Sequence, residues 1–182
     1  MPDLDQDLIN KFLKYLSQKQ YKRLKFEIDI LGELEKQHPI INFYYASAIA
    51  FDNSSTNEEL SFAADLFEKI YLLKKDLQSL YNMIAISFKT RIFNRVLPHI
   101  LKEHKKNEKD LNLLEGLAKI NLFLGNNLES IKFFGKLFEL DPKRKDYRLS
   151  YLGTFNYVSN YDQTEYLKIS KKYTQVYEKN SI

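Results

Sequence analysis

A repeated unit of two amphipathic helices constrains the fold of this chain more than any other feature of its sequence. The clearest copy is the 34-residue segment 111–144, LNLLEGLAKINLFLGNNLESIKFFGKLFELDPKR. Leu117 and Ala118 lie in a first apolar stripe with helical spacing, Gly125 begins a turn, and a second stripe ends before Pro142. Because a single pair of this kind cannot bury its apolar face alone, the chain must stack several pairs.

The same period continues towards the N-terminus without a gap. Residues 77–110 form the preceding unit, although Arg91 occupies the place of the turn glycine. A proline deep inside a helix removes a hydrogen bond and clashes with the preceding turn, whereas a proline in the first turn is tolerated. We therefore expect the second helix of this unit to begin near Asn94, which can cap it, with Pro98 close to its start.

Two earlier units are more divergent. Residues 40–76 carry both apolar stripes, but a polar loop at 52–57 lengthens the unit. The segment 5–39 is predicted to hold a first helix pair, with helices near 5–17 and 20–37. This pair is identified by its place in the order and by the proline that ends it.

Composition favours a chain made of helices. Five glycines and four prolines are few for 182 residues, and few breakers favour long helices over a sandwich or barrel with many turns. Hydrophobic residues make up 44% and charged residues 29%, as in globular proteins. The absence of cysteine excludes a disulfide framework, a thiolate zinc site and a cysteine nucleophile.

The unit at 111–144 resembles the tetratricopeptide repeat. That family's pattern has a large apolar residue, a Leu followed by a small residue, a turn glycine, a small residue early in the second helix, an aromatic residue and a proline. These places are held here by Leu114, Leu117-Ala118, Gly125, Ser130, Phe134 and Pro142. The resemblance implies an all-α fold, a tetratricopeptide-type α-α superhelix of stacked antiparallel helix pairs with a C-terminal capping helix pair.

The predicted organisation has two parts. A tetratricopeptide-like array occupies residues 1–144, with units at about 5–39, 40–76, 77–110 and 111–144. The remaining residues, 145–182, are predicted to form one helix over 148–157 and a final amphipathic helix over 163–177. In the simpler interpretation this pair caps the exposed end of the array.

A second resemblance gives the C-terminal part a different role. The stretch Leu152-Gly153-Thr154-Phe155-Asn156-Tyr157, followed by Asn160-Tyr161-Asp162, resembles the bridge of SPINDLY-type O-linked N-acetylglucosamine transferases. In that family the bridge joins the repeat array to the catalytic lobes. Ser170 stands about where the family's bridge helix has a histidine, and Tyr173 holds the place of its aromatic residue. The resemblance implies an alternative function, the substrate-presenting front part of such a glycosyltransferase without its catalytic lobes.

No combination of residues predicts catalysis, a metal or a cofactor. His99 and His104 are five positions apart, so they do not share a helix face as a zinc-binding i, i+4 pair would. The five glycines are scattered singly, which excludes a glycine-rich phosphate loop. Carboxylate pairs such as Glu58-Glu59 are typical of loops and polar helix faces. We predict a protein that is not an enzyme, with no catalytic residue, no metal site and no cofactor.

The tetratricopeptide resemblance implies a concave groove lined mainly by the first helix of each pair. Aromatic side chains there would supply buried area, while polar groups would satisfy the backbone of an extended peptide. The alternative is that several of these aromatic residues pack between helices. Carried onto this sequence, the candidate binding residues are Phe43, Tyr44, Ser47, Phe51, Tyr81, Asn82, Ala85, Phe88, Lys89, Glu115, Lys119 and Phe123.

The predicted partner is a protein or peptide, and a homodimer is left open. The formal charge is +4, but basic and acidic residues alternate in stretches such as 102–110, which is typical of a solvated surface rather than of a nucleic-acid interface. The N-terminal residues do not resemble a secretory signal, and no apolar run approaches the length that spans a bilayer. We therefore predict a cytoplasmic scaffold that binds no nucleic acid and no membrane. A nucleic-acid or membrane-surface binder remains the third class of function.

Overall fold

The structure is a computed structural model that describes residues 4–158, 163–164, 166–168 and 170–171. Within these residues the chain is built from α-helices and one short 3-10 helix, and it has no β-strand. In chain order, the elements are α1 (Gln6–Ser17), α2 (Tyr21–Asp29), α3 (Glu33–Lys36), α4 (Pro39–Phe51), α5 (Asn57–Lys74), α6 (Leu77–Thr90), α7 (Leu97–His104), α8 (Leu111–Phe123), α9 (Asn127–Leu140), α10 (Lys145–Thr154) and the 3-10 helix η1 (Phe155–Tyr157).

The helices group into two compact units, of which the first covers residues 1–96. Here α4 packs against α5 and α5 against α6, while α1 and α2 both contact α4. Tyr44 of α4 joins a core that includes Phe12, Leu24 and Ile28. These neighbours explain why α4, with the sequence PIINFYYASAIAF, is apolar on nearly every side, since a helix that is hydrophobic all round is a buried one.

The second compact unit covers residues 97–182. Its most extensive contact joins α8 to α9, and α9 in turn packs against α10. The core of this unit is formed by apolar residues from these three helices: Leu114, Ala118, Phe134, Leu137, Phe138 and Tyr147. The pair α8 and α9, which has the clearest repeat pattern, therefore buries apolar residues between its two helices. A second apolar face of the pair packs against α10.

Small residues bring α8, α9 and α10 close together. The Oγ of Ser130, which is fully buried, donates a hydrogen bond to the backbone carbonyl of Ala118 at 2.8 Å. A side chain this short reaches the backbone of the neighbouring helix only where the two helices pass closely. Where α9 packs against α10, a Cβ added at Gly135 would lie 3.1 Å from the ring of Tyr151. Larger residues at these positions would push the helices apart.

The first helix of each later pair begins at an aspartate. The carboxylate of Asp76 accepts a hydrogen bond from the backbone N–H of Ser79 at 2.8 Å, and that of Asp110 accepts one from Leu113 at 3.0 Å. Such caps stabilise a helix by about 1 kcal/mol each. Helix α5, the second helix of its pair, is capped by Thr56 in a reciprocal capping box. These caps fix the starting points of the helices and hence the period of the repeat.

Two helix boundaries within the repeat array differ from the sequence prediction. The single helix expected over 20–37 is wrong, because α2 ends at Asp29 and a separate short helix follows after Gly32, a poor helix former. The second helix of the unit 77–110 begins at Leu97 rather than near Asn94. With this start Pro98 is the second helical residue, so its ring meets no helical carbonyl of a preceding turn.

The C-terminal part is helical where it is described. α10 begins at Lys145, three residues before the predicted start, and η1 continues the turn to Tyr157. The described residues between 163 and 171 are helical. Of the bridge-like motif, Asn160-Tyr161-Asp162 and Tyr173 lie outside the described residues.

The turn positions of the last two repeats adopt the left-handed conformation. Gly125 has a φ of 79°, and Arg91, one repeat earlier, has a φ of 63° and ends α6. Arg91 therefore adopts the left-handed φ that Gly125 has, although the link that follows it is longer. An L-residue in this conformation costs about 1–2 kcal/mol, because its Cβ approaches the following carbonyl oxygen.

We predict opposite effects for two glycine substitutions in the second unit. Gly125→Ala should lower the free energy of unfolding by about 1 kcal/mol, since alanine would carry the left-handed strain. Gly153→Ala should raise it by about 0.5–1 kcal/mol, since Gly153 is helical and no atom lies within 4 Å of an added Cβ. Urea unfolding followed by circular dichroism measures both. Equal effects of the two variants would contradict the left-handed turn at Gly125.

Candidate functional site

In the first unit, Phe51 and four of the predicted groove residues on α6 reach the surface. Phe51, at the end of α4, is 45% exposed, and Ala85 and Lys89 on α6 are exposed. Tyr81 and Phe88 on the same helix are partly buried. Ala85 is four positions from Tyr81 and three or four positions from Phe88 and Lys89, so the four residues lie along one side of the helix.

Three predicted groove residues are buried instead. The side chain of Ser47 is 1% exposed, and Tyr44 and Asn82 are also buried. Tyr44 packs edge to face on Phe12 with ring centroids 5.9 Å apart, and burial raises the pKa of its hydroxyl. The physical reason is that α1, α2 and α5 pack against α4, which holds Tyr44 and Ser47, while α4 and α5 pack against α6, which holds Asn82. Positions expected to face a ligand therefore face neighbouring helices. These three residues therefore belong to the core and do not offer a surface to a partner.

A groove of about 500 Å³ opens at the start of α4. Its apolar lining comes from Pro39, Ile40 and Phe43 of α4 and from Ile70 of α5. Phe43 is half-buried, and its ring packs on Phe67 of α5 at a centroid distance of 5.6 Å. The groove therefore has a hydrophobic floor held by the contact between α4 and α5.

Polar residues lie around this floor. The Nδ1 atom of His38 accepts a hydrogen bond from the backbone N–H of Ile40 at 3.2 Å and so caps α4. Asp76 is engaged as the cap of α6, where its carboxylate also accepts from the Oγ of Ser79 at 2.5 Å. Lys74 is exposed at the end of α5. Imidazole and ammonium groups thus border an apolar cleft, an arrangement that suits a partner with both apolar and polar groups.

Lys89 links α6 to the end of α4. Its Nζ donates a hydrogen bond to the backbone carbonyl of Ala50 at 2.6 Å, next to Phe51. This places a positive charge at the C-terminal end of α4, where the carbonyl groups are negative. The ring of Phe51 lies 6.4 Å from that of Tyr21 on α2. The surface here combines an exposed aromatic ring with an ordered ammonium group.

In the second unit, the predicted residue Glu115 is the centre of a polar cluster on α8. Its carboxylate pairs with Lys119 at 2.5 Å and accepts a hydrogen bond from the hydroxyl of Tyr147 at 3.1 Å. The guanidinium of Arg144 lies 3.9 Å from the same carboxylate. Burial, reinforced by the charge of Glu115, raises the pKa of Tyr147. Phe123, the third predicted residue, is half-exposed at the end of the helix.

Sequence reasoning missed the groove residues outside the first helices. His38, Ile70, Lys74 and Asp76 come from a helix cap, from the second helix and from the link that follows it. The prediction considered only first-helix positions, so it included Phe43 and left out the others. The His38-Pro39 helix start was the one available signal that an exposed helix end lies here.

All three histidines lie within the described residues. Among the described residues, no group of three or more His, Asp or Glu side chains is arranged to hold a metal ion. His104 lies edge to face with Phe133, with ring centroids 5.8 Å apart. Its buried Nδ1 has no hydrogen-bond partner within the described part of the chain. Burial lowers the pKa of His104, and the charge of Lys136 lowers it further.

No helix in the described part of the chain is both long enough and apolar enough to cross a membrane.

Comparison with known proteins identifies the fold. No family model matches the chain, and no curated protein matches it. Several solved structures titled MamA do match. The chain is 15% identical to a MamA RS-1 ArsTM double mutant, with a TM-score of 0.76 over 96% of each chain. For a structure of MamA MSR-1 the identity is 13% and the TM-score is 0.71, over 94% of this chain and 95% of the other. For one of MamA AMB-1 the values are 13% and 0.68, over 92% and 95%.

These likenesses confirm one resemblance and not the other. The chain has the all-helical, tetratricopeptide-like fold of the matching structures, as the sequence predicted. At this level of identity the likeness concerns the fold alone. The resemblance to the bridge of SPINDLY-type transferases receives no support from the matches.

We predict a pH dependence of stability that arises from His104. Its pKa is lowered in the folded state, so below about pH 6.5 the unfolded chain binds more protons than the folded one. This contribution to stability is complete above about pH 6.5 and is lost as the pH falls through the lowered pKa of the folded state. His104→Phe keeps a ring against Phe133 and should flatten this part of the profile, as measured by urea unfolding at several pH values. Parallel profiles of the two proteins would contradict the prediction.

Proposed function

We propose that this protein is a non-catalytic scaffold that binds a protein or peptide partner on the surface of its helical repeats. The observation that carries the proposal is the groove at the start of α4, with an apolar floor and a polar border. Its volume of about 500 Å³ falls within the range of about 300–1,000 Å³ that is typical of ligand pockets. The matching fold supports the proposal only as a framework, since fold does not determine function.

The chemistry of the groove suits a peptide. Ile40 and Phe43 offer apolar contact area, which supplies most of the affinity when a partner's side chain is buried against it. Lys74 can donate hydrogen bonds to backbone carbonyls or pair with a carboxylate of the partner. An extended segment that places one or two apolar side chains on the floor would satisfy both features.

The exposed face of α6 extends the proposed surface within the same unit. Tyr81, Phe88 and Lys89 combine rings with an ordered charge, a composition that is frequent at binding hot spots. In the second unit, Glu115, Lys119 and Phe123 remain candidate contacts for a partner. Glu115 and Lys119 already neutralise each other, so we expect Phe123 to contribute most there.

A structural role for the ionisable groups supports a function without catalysis. Asp76 and Asp110 cap helices, and His38 caps α4. Exposed cations such as Lys132 and Lys136 pair with Glu129 and Glu108, which disperses the net positive charge. Both features support a protein partner rather than a nucleic acid or a membrane surface, which would require a continuous basic face. The cytoplasmic location and a homodimer stay predictions from the sequence.

The proposal is tested by quantitative capture of proteins from the source cell's lysate. The groove variant Ile40→Glu, Lys74→Glu places two acidic groups on the groove while changing exposed positions only. The control variant Leu73→Glu, Lys69→Glu makes the same charge change on α5 outside the groove lining. We expect the wild-type protein and the control to retain a common partner that the groove variant loses at least about tenfold, or about 1.4 kcal/mol.

Two outcomes would contradict the proposal. If all three proteins retain the same set of partners, the groove does not bind them. If the wild-type protein and the groove variant both capture only further copies of the same chain, the proposed role as a scaffold for another protein is wrong. Circular dichroism of each variant ensures that loss of binding does not reflect loss of structure.

A further inference from the structure

A polar depression of about 440 Å³ lies between α1 and α2, away from the groove at the start of α4. Its lining is almost entirely polar or charged: Asp7, Asn10, Lys11, Lys14, Tyr15, Gln18, Gln20 and Arg23. Three cations and three side-chain amides therefore surround one carboxylate and one tyrosine ring. Neither the repeat pattern nor the proposed groove accounts for this grouping.

Two of the three cations are not paired with an acid in the described part of the chain. Lys11 pairs with Glu27 at 2.7 Å, and this pair lowers the pKa of Glu27. The charge of Arg23 also acts on Glu27, but neither Arg23 nor Lys14 forms an ion pair within the described residues. The depression therefore brings together two cations that no acid neutralises by direct pairing.

The side chain of Arg23 is exposed, and its guanidinium contacts an aromatic ring. It lies over the ring of Tyr15, 4.9 Å from the ring centroid. Tyr15 is itself buried, and its hydroxyl donates a hydrogen bond to Glu27 at 3.4 Å. The pair of Glu27 with Lys11 thus fixes the ring, and the ring positions the guanidinium. A positioned guanidinium loses less entropy when it binds a carboxylate than a freely rotating one does.

We infer that this depression binds an acidic segment of a partner protein, rich in aspartate or glutamate. Arg23 would donate two hydrogen bonds to one carboxylate in a bidentate pair, and Lys14 would pair with a second carboxylate. The amides of Asn10, Gln18 and Gln20 both donate and accept hydrogen bonds, which matches a peptide backbone. The site uses residues distinct from the groove, so it stands or fails independently of the proposed function.

The same observations argue against nucleic acid and lipid headgroups as the ligand. Phosphate backbones are bound by rows of cations that neutralise several charges, whereas only two cations here are unpaired. Three amides offer acceptors as well as donors, and acceptors suit backbone N–H groups rather than phosphate oxygens.

The test is a fluorescence anisotropy titration of a labelled peptide of alternating glutamate and glycine. The full-length protein should bind this peptide at low salt. The variant Lys14→Gln, Arg23→Gln should bind at least about tenfold more weakly. The control Lys22→Gln, Lys69→Gln removes the same charge from exposed positions outside the lining, and should change the affinity by less than about twofold.

Further variants and ligands decide between alternatives. Arg23→Lys keeps the charge but not the bidentate geometry, so it should bind with intermediate affinity. Equal weakening in the control and in Lys14→Gln, Arg23→Gln would show unspecific charge attraction and overturn the inference. The inference would also be overturned if the wild-type protein did not bind the peptide. Tighter binding of duplex DNA, or of vesicles with anionic lipids, than of the peptide would overturn it as well. Because the groove residues are unchanged in these variants, failure here leaves the lysate experiment unaffected.

Discussion

Much of the second unit depends on the close contact between α8 and α9. The hydrogen bond from Ser130 to the carbonyl of Ala118 is possible only because both residues are small and both are buried. Around it, Leu114, Phe134 and Leu137 are packed into a single core. The same constraint recurs at Gly135, where the ring of Tyr151 leaves no room for a Cβ without movement. Close approach of the helices at small residues is therefore a main constraint on the packing of this unit.

The stacking of the helices determines which side chains remain accessible to a partner. α4 is apolar on nearly all sides and is covered by α1, α2 and α5, so most of its residues serve the core. Its two ends remain accessible, with Ile40 in the groove and Phe51 beside Lys89. Binding surfaces in this unit therefore arise at helix ends and on α6, where the stacked neighbours stop covering the helix.

Much of the fold could be predicted from the sequence, because the residues that define the repeat act on the backbone close to them. Gly125 and Pro142 mark a turn and a helix end, and Ala118 and Ser130 mark the close contact between α8 and α9. The first unit was harder, since its helix pair at 5–39 lacks such marks, and the break after Asp29 was missed.

The candidate site could be predicted only in part. Whether Tyr44, Ser47 and Asn82 face a ligand or a neighbouring helix depends on the packing of residues distant in sequence, which the local pattern does not encode. The groove joins a helix cap to the end of the second helix, and of its lining residues the sequence prediction included only Phe43. Residues with a local structural role were thus predictable, whereas surfaces formed by several helices were not.

The central claim is that close helix contact at small residues holds the fold together. It is tested most directly by measuring the free energy of unfolding of Ala118→Leu beside Ala85→Leu, the same change at a buried and at an exposed helical alanine. We expect Ala118→Leu to destabilise the protein by about 1–3 kcal/mol through overpacking, and Ala85→Leu to change stability by less than about 0.5 kcal/mol. Equal, small effects of both substitutions would contradict the claim.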